Sequence, residues 1–133
     1  MPSKLVARRA KKNSVNYARR SSLKKGDMVM VIAGGNKEKH QTKGQVGRIL
    51  GFAGKDNSRV IVEGVNVRVK HQRQTSMGQA SGIISREAPI HISNVMYYVE
   101  KLKRPVRLKH SFLEDGTKVR GYLDPETKTF VQI

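Results

Sequence analysis

The chain has 133 residues, of which 27 are Lys or Arg and 10 are Asp or Glu, giving a formal net charge of +17 at pH 7. This excess exceeds what solubility requires, so the leading inference is a polyanionic partner, with nucleic acid ahead of a membrane surface. No apolar run approaches the roughly 18 residues of a membrane-spanning helix, and the absence of cysteine excludes disulfides and thiolate metal sites.

The first 25 residues form a basic tail. Met1 to Lys25 carries nine Lys and Arg and no acidic residue. Charge repulsion keeps such a segment from folding alone, so we predict that RNA phosphates order it. The alternatives are a solvated solubility tail and an organellar transit peptide, which is also rich in Arg and Ser and poor in acids. About a hundred residues remain for one compact domain.

The residues after the tail predict the start of a small antiparallel sheet. A turn leads into the apolar run Met28–Ala33, which is the first predicted strand. Asn36–Lys43 is a polar, cation-rich loop, Gln45–Phe52 is the second strand, and Gly54–Asn57 is a turn. Short strands joined in this way predict a strongly bent sheet or an open barrel.

The stretch Arg59–Lys70, RVIVEGVNVRVK, is the segment on which the predicted core depends. The valines before Gly64 stand at even positions and those after it at odd positions. Because a one-residue slip sends each side chain to the opposite face, we predict a β-bulge at Gly64 that keeps Val65–Val69 facing the core. A plain hairpin turn at Glu63–Asn66 is the alternative.

Residues 70–99 alternate between a polar segment and apolar runs. Lys70–Ser81 has no aromatic residue and no usable periodicity, so we predict a long loop that projects from the barrel. The apolar pattern resumes in Ile83–Pro89 and Ile90–Val99. The residues expected to cover the barrel are Ile90, Ile92 and Val95.

The last third of the chain predicts further strands. Val106–Phe112 and Thr117–Leu123 read as a hairpin closed at Glu114-Asp115-Gly116. A turn at Asp124–Thr127 then leads to a final short strand, Thr129–Ile133. The sequence is therefore all-β in its predicted elements.

Several runs match a known family. Lys25-Gly26-Asp27, the following strand, Ala33-Gly34 and Gly44-Gln45-Val46 resemble the KOW motif, a small β unit that binds RNA and protein. The matching continues in Val60–Asn66, Lys70–Gln72, Gly82–Ile84, Glu87–Val95, Phe112–Gly116 and Lys118–Arg120. Together these runs closely resemble the KOW-motif ribosomal proteins of the large subunit, number twenty-four in bacterial numbering. The likeness spans roughly Lys24 to Arg120.

The resemblance implies a fold and a role. The expected fold is all-β, a small KOW/SH3-like barrel with a basic N-terminal tail and a C-terminal β extension. We divide the chain into a basic RNA-binding tail (1–25), a KOW-type barrel core (26–70), a projecting loop (71–82) and a β extension completing the single domain (83–133). The expected function is to bind ribosomal RNA as a structural constituent of the large subunit, with an early role in assembly and a position near the polypeptide exit tunnel.

The sequence departs from the family pattern in three places. The loop between Gly34 and Gly44 is a few residues longer than usual and lacks the customary Lys-Gly step, and the N-terminal tail is also longer. Some relatives carry C-terminal cysteine pairs that suggest a zinc ribbon. This chain has no cysteine, so we expect neither zinc nor any other cofactor.

The predicted RNA contacts are basic residues, because Lys and Arg near phosphates release condensed counterions. They are Arg8, Arg9, Lys11, Lys12, Arg19, Arg20, Lys24, Lys25, Lys37, Lys39, Lys43, Arg68, Lys70, His71, Arg73, Arg86, His91, Lys118 and Arg120. Following the resemblance, Met77, Gly78 and Gln79 form the tunnel-side tip of the projecting loop. The expected partners are large-subunit ribosomal RNA, neighbouring ribosomal proteins and the nascent chain, and neither DNA nor a membrane. The expected location is the cytoplasmic ribosome, with an organellar ribosome as the alternative.

Two other functions are alternatives to a ribosomal role. A KOW-containing transcription or elongation regulator would need a separate partner-binding domain, for which the chain has no room. A metal-dependent nuclease would need Asp27, Glu63, Glu87 and Asp115 to meet in space, although each has a local explanation at a turn or strand end. The four histidines lack metal-ligand spacing, and we interpret each as a phosphate neighbour or a surface residue.

Overall fold

A computed structural model describes residues 21–35, 41–73 and 82–133, in which eleven strands form three antiparallel sheets. The only helical element in these ranges is a one-turn 3-10 helix, Ile92–Asn94, and none of their helices is long and apolar enough to cross a membrane. The predicted all-β fold class is confirmed. The strands are β1 (Met28–Val31), β2 (Val46–Ala53), β3 (Arg59–Val62), β4 (Val67–Gln72), β5 (Gly82–Glu87), β6 (Ile90–His91), β7 (Val95–Val99), β8 (Arg104–Val106), β9 (Leu108–Phe112), β10 (Lys118–Leu123) and β11 (Phe130–Gln132).

The largest sheet has the strand order β6-β3-β2-β1-β7-β8 and curls into a barrel. In a flat sheet of this order, β6 and β7 would lie four strand spacings apart, or roughly 19 Å. The chain joins them through the 3-10 helix alone, whose three residues rise only about 6 Å. The sheet must therefore bend until its β6 and β7 sides meet. Two hydrogen bonds hold this closure, from Ile92 N to Ser58 O and from Ile32 N to Asn94 O, each 2.9 Å.

The barrel core consists of β-branched side chains from several strands. Alternate residues of β1 and β3 point inward, and Val29, Val60 and Val62 have no exposed surface. Full burial of each such side chain contributes roughly 1.5–3 kcal/mol. The complete cluster is Val29, Val31, Ile49, Val60, Val62, Val65, Ile90 and Val95, with Ile92 packed against it. The predicted covering role of Ile90, Ile92 and Val95 is confirmed.

Gly47 in β2 permits the turn after β3 to pack on the barrel. A Cβ atom at this position would lie 2.5 Å from the carbonyl oxygen of Glu63 and 2.8 Å from Cγ1 of Val62. Both distances are too short for a side chain, so close backbone approach requires glycine here.

The predicted β-bulge at Gly64 is wrong. After Val62 the chain makes a turn in which Gly64 has φ +67° and Asn66 has φ +55°. This turn does not close a hairpin either, because β3 pairs with β2 and β6, whereas β4 pairs with β5. Val65 is buried as expected, but Val67 and Val69 are 51% and 63% exposed. The turn takes the chain out of the barrel sheet, so no register has to be restored. The irregularity in register lies instead in β2, between Ile49 and Gly51.

Strands β4 and β5 form a separate two-stranded sheet, here called the ribbon. Their pairing runs from Val67 opposite Glu87 to Gln72 opposite Gly82. Lys70–Gln72 is therefore strand and not loop, because cross-strand hydrogen bonding gives it an order that its polar sequence does not signal. The base of the ribbon is closed by Asn66, whose Nδ2 and carbonyl oxygen both bond to the backbone of Ala88. Residues 74–81, with Met77, Gly78 and Gln79, lie outside the described ranges.

The third sheet has the order β11-β10-β9 and packs through a second, smaller core. Val99, Val106 and Tyr122 are its buried members, with Tyr97, Leu102 and Val131 packed against them. The predicted hairpin and the final strand are confirmed, but β8, which pairs with β7, was not predicted. Strand β4 lies in the predicted barrel core (26–70) but pairs outside the barrel sheet. Strands β6 and β7 lie in the predicted β extension (83–133) but belong to the barrel sheet.

Candidate nucleic-acid interface

One face of the ribbon carries exposed cations. Strand alternation places Arg68 and Lys70 of β4 on one side, and Arg86 of β5 lies directly opposite Arg68 on that side. All three side chains are exposed, and none has an ion pair with a carboxylate among the described residues. Like charges directly opposite each other destabilise a strand pair. We call this surface the basic face of the ribbon, and it presents closely spaced positive charge without internal compensation.

The opposite face of the ribbon combines apolar and polar side chains. Val67, Val69 and Ile83 lie on it together with Ser85 and Glu87, and Ile83 is 70% exposed. His71, a predicted RNA contact, pairs with Ile83 and lies on this side, away from Arg68, Lys70 and Arg86. Arg73 follows β4 directly and is exposed. Of the cations predicted on the ribbon, Arg68, Lys70 and Arg86 therefore share one face, and His71 lies on the other.

Four further predicted contacts lie at or near the ends of barrel strands. Lys24 and Lys25 precede β1 and Lys43 precedes β2, all with exposed side chains. His91 caps the 3-10 helix, where its Nδ1 accepts a hydrogen bond from the backbone N–H of Ser93 (3.3 Å) and lies 2.7 Å from the Ser93 hydroxyl. This arrangement orients the ring and leaves Nε2 for an outward contact.

Arg120 has a structural partner, which changes the role expected for it. Its Nη1 donates to Oδ2 of Asp27 (2.6 Å) and to the carbonyl oxygen of Ser22 (2.9 Å), and its Nη2 donates to Oδ1 of Asp27 (3.1 Å). The side chains of Arg120 and Asp27 are only 13% and 11% exposed. Since Nη1 and Nη2 both donate hydrogen bonds to residues 22 and 27, Arg120 links the third sheet to the residues at the start of β1. The Arg120 guanidinium is therefore not a free cation like the side chains of Arg68, Lys70 and Arg86.

Tyr97 lies beside this ion pair. Burial raises the pKa of Tyr97 above its usual 10.0, the Asp27 carboxylate raises it further, and Arg120 acts in the opposite direction. The phenol is thus a neutral neighbour of the pair at physiological pH.

A cleft lies between residues 21–24 and the third sheet, with a volume of about 410 Å³. Lys24 and Lys118, both predicted RNA contacts, line it together with Arg120. His110, which the sequence suggested only as a phosphate neighbour or a surface residue, also lines it and lies directly opposite Arg120 in the β9–β10 pair. The signal for this grouping was present in the sequence, because the hairpin turn at residues 114–116 fixes which residues face each other.

The other predicted site residues belong to three segments of the chain. The cations of the tail and of the loop after β1, together with the tunnel-side tip, lie outside the described residues. They are Arg8, Arg9, Lys11, Lys12, Arg19, Arg20, Lys37, Lys39, Met77, Gly78 and Gln79.

The acidic residues considered for a nuclease do not form a metal site in the described part of the chain. Asp27 is paired with Arg120. Over residues 21–35, 41–73 and 82–133, no three His, Cys, Asp or Glu side chains are close enough to hold a metal ion together. The described residues therefore offer exposed cations for binding an anion and give no support to the metal-dependent nuclease.

Comparison with known proteins gives consistent results. The family model for the C-terminal domain of large ribosomal subunit protein uL24 matches residues 65–122. The uL24 protein of Finegoldia magna is 47% identical over 98 residues, which cover 74% of this chain and 88% of that protein. The uL24 protein of Microcystis aeruginosa is 45% identical over 113 residues, covering 84% of this chain and 91% of that protein. The uL24 protein of Geobacter metallireducens is 49% identical over 98 residues, covering 74% and 83%.

Proposed function

The chain belongs to the family of large ribosomal subunit protein uL24, and we propose that it acts there by binding ribosomal RNA through the basic face of the ribbon and the cations near β1 and β2. Members of this family are structural constituents of the large subunit and not enzymes. The family predicted from the sequence is confirmed, and membership favours the ribosomal function over the transcription regulator and the nuclease.

The observation that carries the proposal is the pairing of Arg68 with Arg86 across the ribbon. Folding alone gains nothing from two guanidinium groups held opposite each other without a carboxylate partner. A phosphate backbone supplies the missing negative charge, and guanidinium groups bind phosphate oxygens in a fork geometry. A bound phosphate therefore removes the repulsion between the two arginines, and this relief contributes favourably to the free energy of binding.

The composition of the ribbon favours recognition of RNA shape and backbone. Its described strands, VRVKHQ and GIISRE, contain no Phe, Tyr or Trp on which a base would stack. Contacts to phosphates and 2′-hydroxyls position a protein on RNA without reading base edges. Specificity for one rRNA region then comes from the fold of the RNA.

Substituting the two opposed arginines tests this proposal. The full chain is titrated with large-subunit rRNA at several salt concentrations, as wild type and as the double variant Arg68→Gln with Arg86→Gln. Loss of two phosphate contacts should reduce the slope of log K against log salt by about 1.4–1.8. The matched control removes two exposed turn cations, Lys55→Gln with Lys128→Gln, and should change the slope less. Equal effects of the two double variants would contradict a role for the ribbon.

We further propose an early assembly role and a position near the polypeptide exit tunnel, because the family resemblance implies both. The ribbon is the element that leaves the barrel sheet, and residues 74–81 connect its two strands. The exposed side chains of Val67, Val69 and Ile83 on the ribbon suit contact with neighbouring ribosomal proteins or with an emerging nascent chain. A crosslinker placed at position 77 in assembled ribosomes should react with a stalled nascent chain. Crosslinks only to distant rRNA, or none, would exclude the tunnel-side position.

A further inference from the structure

The cleft between residues 21–24 and the third sheet is built from two distant parts of the chain. Its first wall is the segment that enters β1, including Ser21, Ser22 and Lys24. Its second wall is the outer part of the third sheet, including His110 and Lys118. No Asp or Glu side chain lines this cleft. Two hydroxyl groups, an ammonium group from each wall and an imidazole therefore surround a space of about 410 Å³.

The Asp27–Arg120 ion pair fixes the relative position of these walls. Arg120 donates hydrogen bonds to both the carboxylate of Asp27 and the carbonyl oxygen of Ser22. Oδ2 of Asp27 also accepts the backbone N–H of Lys24 at 2.7 Å. The Asp27 carboxylate thus already accepts hydrogen bonds from Arg120 and Lys24 N–H, and neither the Lys24 nor the Lys118 side chain has an ion pair with a carboxylate among the described residues.

The register of the β9–β10 pair directs the cations of the second wall to one side. Lys118 precedes Arg120 by two residues and so shares its face, and His110 lies opposite Arg120. Lys109 pairs with Gly121 and points to the other face of the same hairpin. Arg120 also lines the cleft, and its Nε is buried without a hydrogen-bond partner among the described residues.

We propose that this cleft is a discrete phosphate site that holds one backbone phosphate of RNA. Lys24 and Lys118 supply the charge, and His110 and the hydroxyls of Ser21 and Ser22 supply further hydrogen bonds to phosphate oxygens. The inference rests on the proposed rRNA binding and adds to it a particular site away from the ribbon. Because one phosphate would contact both walls, RNA would also strengthen the attachment of the third sheet to the barrel.

A pair of lysines on opposite faces of one hairpin tests the site. Lys118→Ala removes a cleft cation, whereas Lys109→Ala removes another exposed cation from the other face. Lys118→Ala in the full chain should reduce the slope of log K against log salt for rRNA by about 0.7–0.9, the value for one phosphate contact. Lys109→Ala should leave the slope unchanged, and Lys118→Arg, which keeps the charge, should restore it.

Ring signals of His110 give a second readout by NMR spectroscopy. They should shift when rRNA fragments are added to the wild-type protein, and the shift should be lost in Lys118→Ala but kept in Lys109→Ala. If wild type binds rRNA but the two alanine variants behave alike in both measurements, the discrete site is wrong while rRNA binding stands. If wild type does not bind rRNA at all, the proposed function fails, and the site assigned to an RNA phosphate fails with it.

Discussion

Strand β3 of the barrel and strand β4 of the ribbon both alternate valine with other residues, but their valines differ in burial. In β3, RVIV places Val60 and Val62 at zero exposure, whereas in β4, VRVKHQ leaves Val67 and Val69 more than half exposed. The strands differ in their partners: β3 lies between β2 and β6 in a curled sheet, and β4 pairs with β5 alone in the described chain. Alternation of valines thus shows that a segment is a strand, but the surrounding sheet decides whether either face is buried.

The difference in burial indicates that the barrel stabilises the fold and that the ribbon offers exposed surface for binding. The barrel core supplies the free energy of folding through side chains that exclude water. A two-stranded sheet alone is only marginally stable in water. The ribbon therefore contributes little to the stability of the free protein and is available to present Arg68, Lys70 and Arg86 on one face and exposed Val67, Val69 and Ile83 on the other.

The largest expected difference in stability is between two Ile→Ala variants, one in the barrel and one in the ribbon. Ile49 in the barrel is 1% exposed and Ile83 in the ribbon is 70% exposed. Ile49→Ala should lower the free energy of unfolding by about 2–5 kcal/mol, through lost burial and a cavity. Ile83→Ala should change it by less than about 0.5 kcal/mol. Urea titration of both variants measures this difference, and similar losses would mean that the ribbon is part of the cooperative core.

A smaller effect is expected at the contact that joins the third sheet to the barrel. Arg120→Ala leaves the Asp27 carboxylate without its charged donor, and Asp27→Ala leaves the guanidinium unpaired. Each single variant should lose about 1–3 kcal/mol of unfolding free energy. In a double-mutant cycle the combined variant should lose less than the sum of the single losses. Strict additivity would show that the two residues act independently.

A weaker effect of opposite sign is expected on the ribbon. Arg68→Gln removes the like-charge repulsion with Arg86 and should stabilise the free protein by up to about 0.2–1 kcal/mol while it weakens rRNA binding. Arg59→Gln, at an exposed position of β3, serves as the control. Thermal unfolding in low salt measures the change, and a destabilised Arg68→Gln would indicate that this arginine has a structural partner.

The smallest effect concerns Tyr97. Since burial raises its folded-state pKa above the usual 10.0, folding favours the neutral phenol. The resulting stability is fully present below the unfolded pKa and is lost as the pH rises through the folded pKa. The unfolding free energy of wild type should therefore fall more steeply than that of Tyr97→Phe above about pH 10. Parallel curves for the two proteins would show that Tyr97 ionises as freely as it does in the unfolded chain.

The sequence predicted strands where local chemistry decides and failed where tertiary pairing decides. Strands β1, β2 and β3 and the hairpin of β9 and β10 follow from apolar runs bounded by turn residues. The continuation of strand β4 through Lys70–Gln72 depends on hydrogen bonds to a segment ten or more residues away, which composition does not reveal. The switch from even to odd valine positions at Gly64 marks a change of sheet and not a bulge.

The candidate site shows the same limit. Charge alone identified Lys24, Arg68, Arg86 and Lys118 as exposed cations. It did not distinguish Arg120, because its partner Asp27 lies 93 residues earlier in the chain. The difference between a free and a paired arginine is a property of the fold, and residue type does not show it.

Hydrogen exchange of backbone amides tests the division between barrel and ribbon most directly. In the free protein, amides of β1, β2 and β3 should exchange only through global unfolding, and amides of β4 and β5 should exchange faster through local opening. Addition of large-subunit rRNA should slow exchange in the ribbon and in residues 21–24 and 118–120, with no comparable change in the barrel strands. Ribbon amides that are already as protected as β2 in the free protein, or that rRNA leaves unchanged, would contradict the assignment of stability to the barrel and recognition to the ribbon.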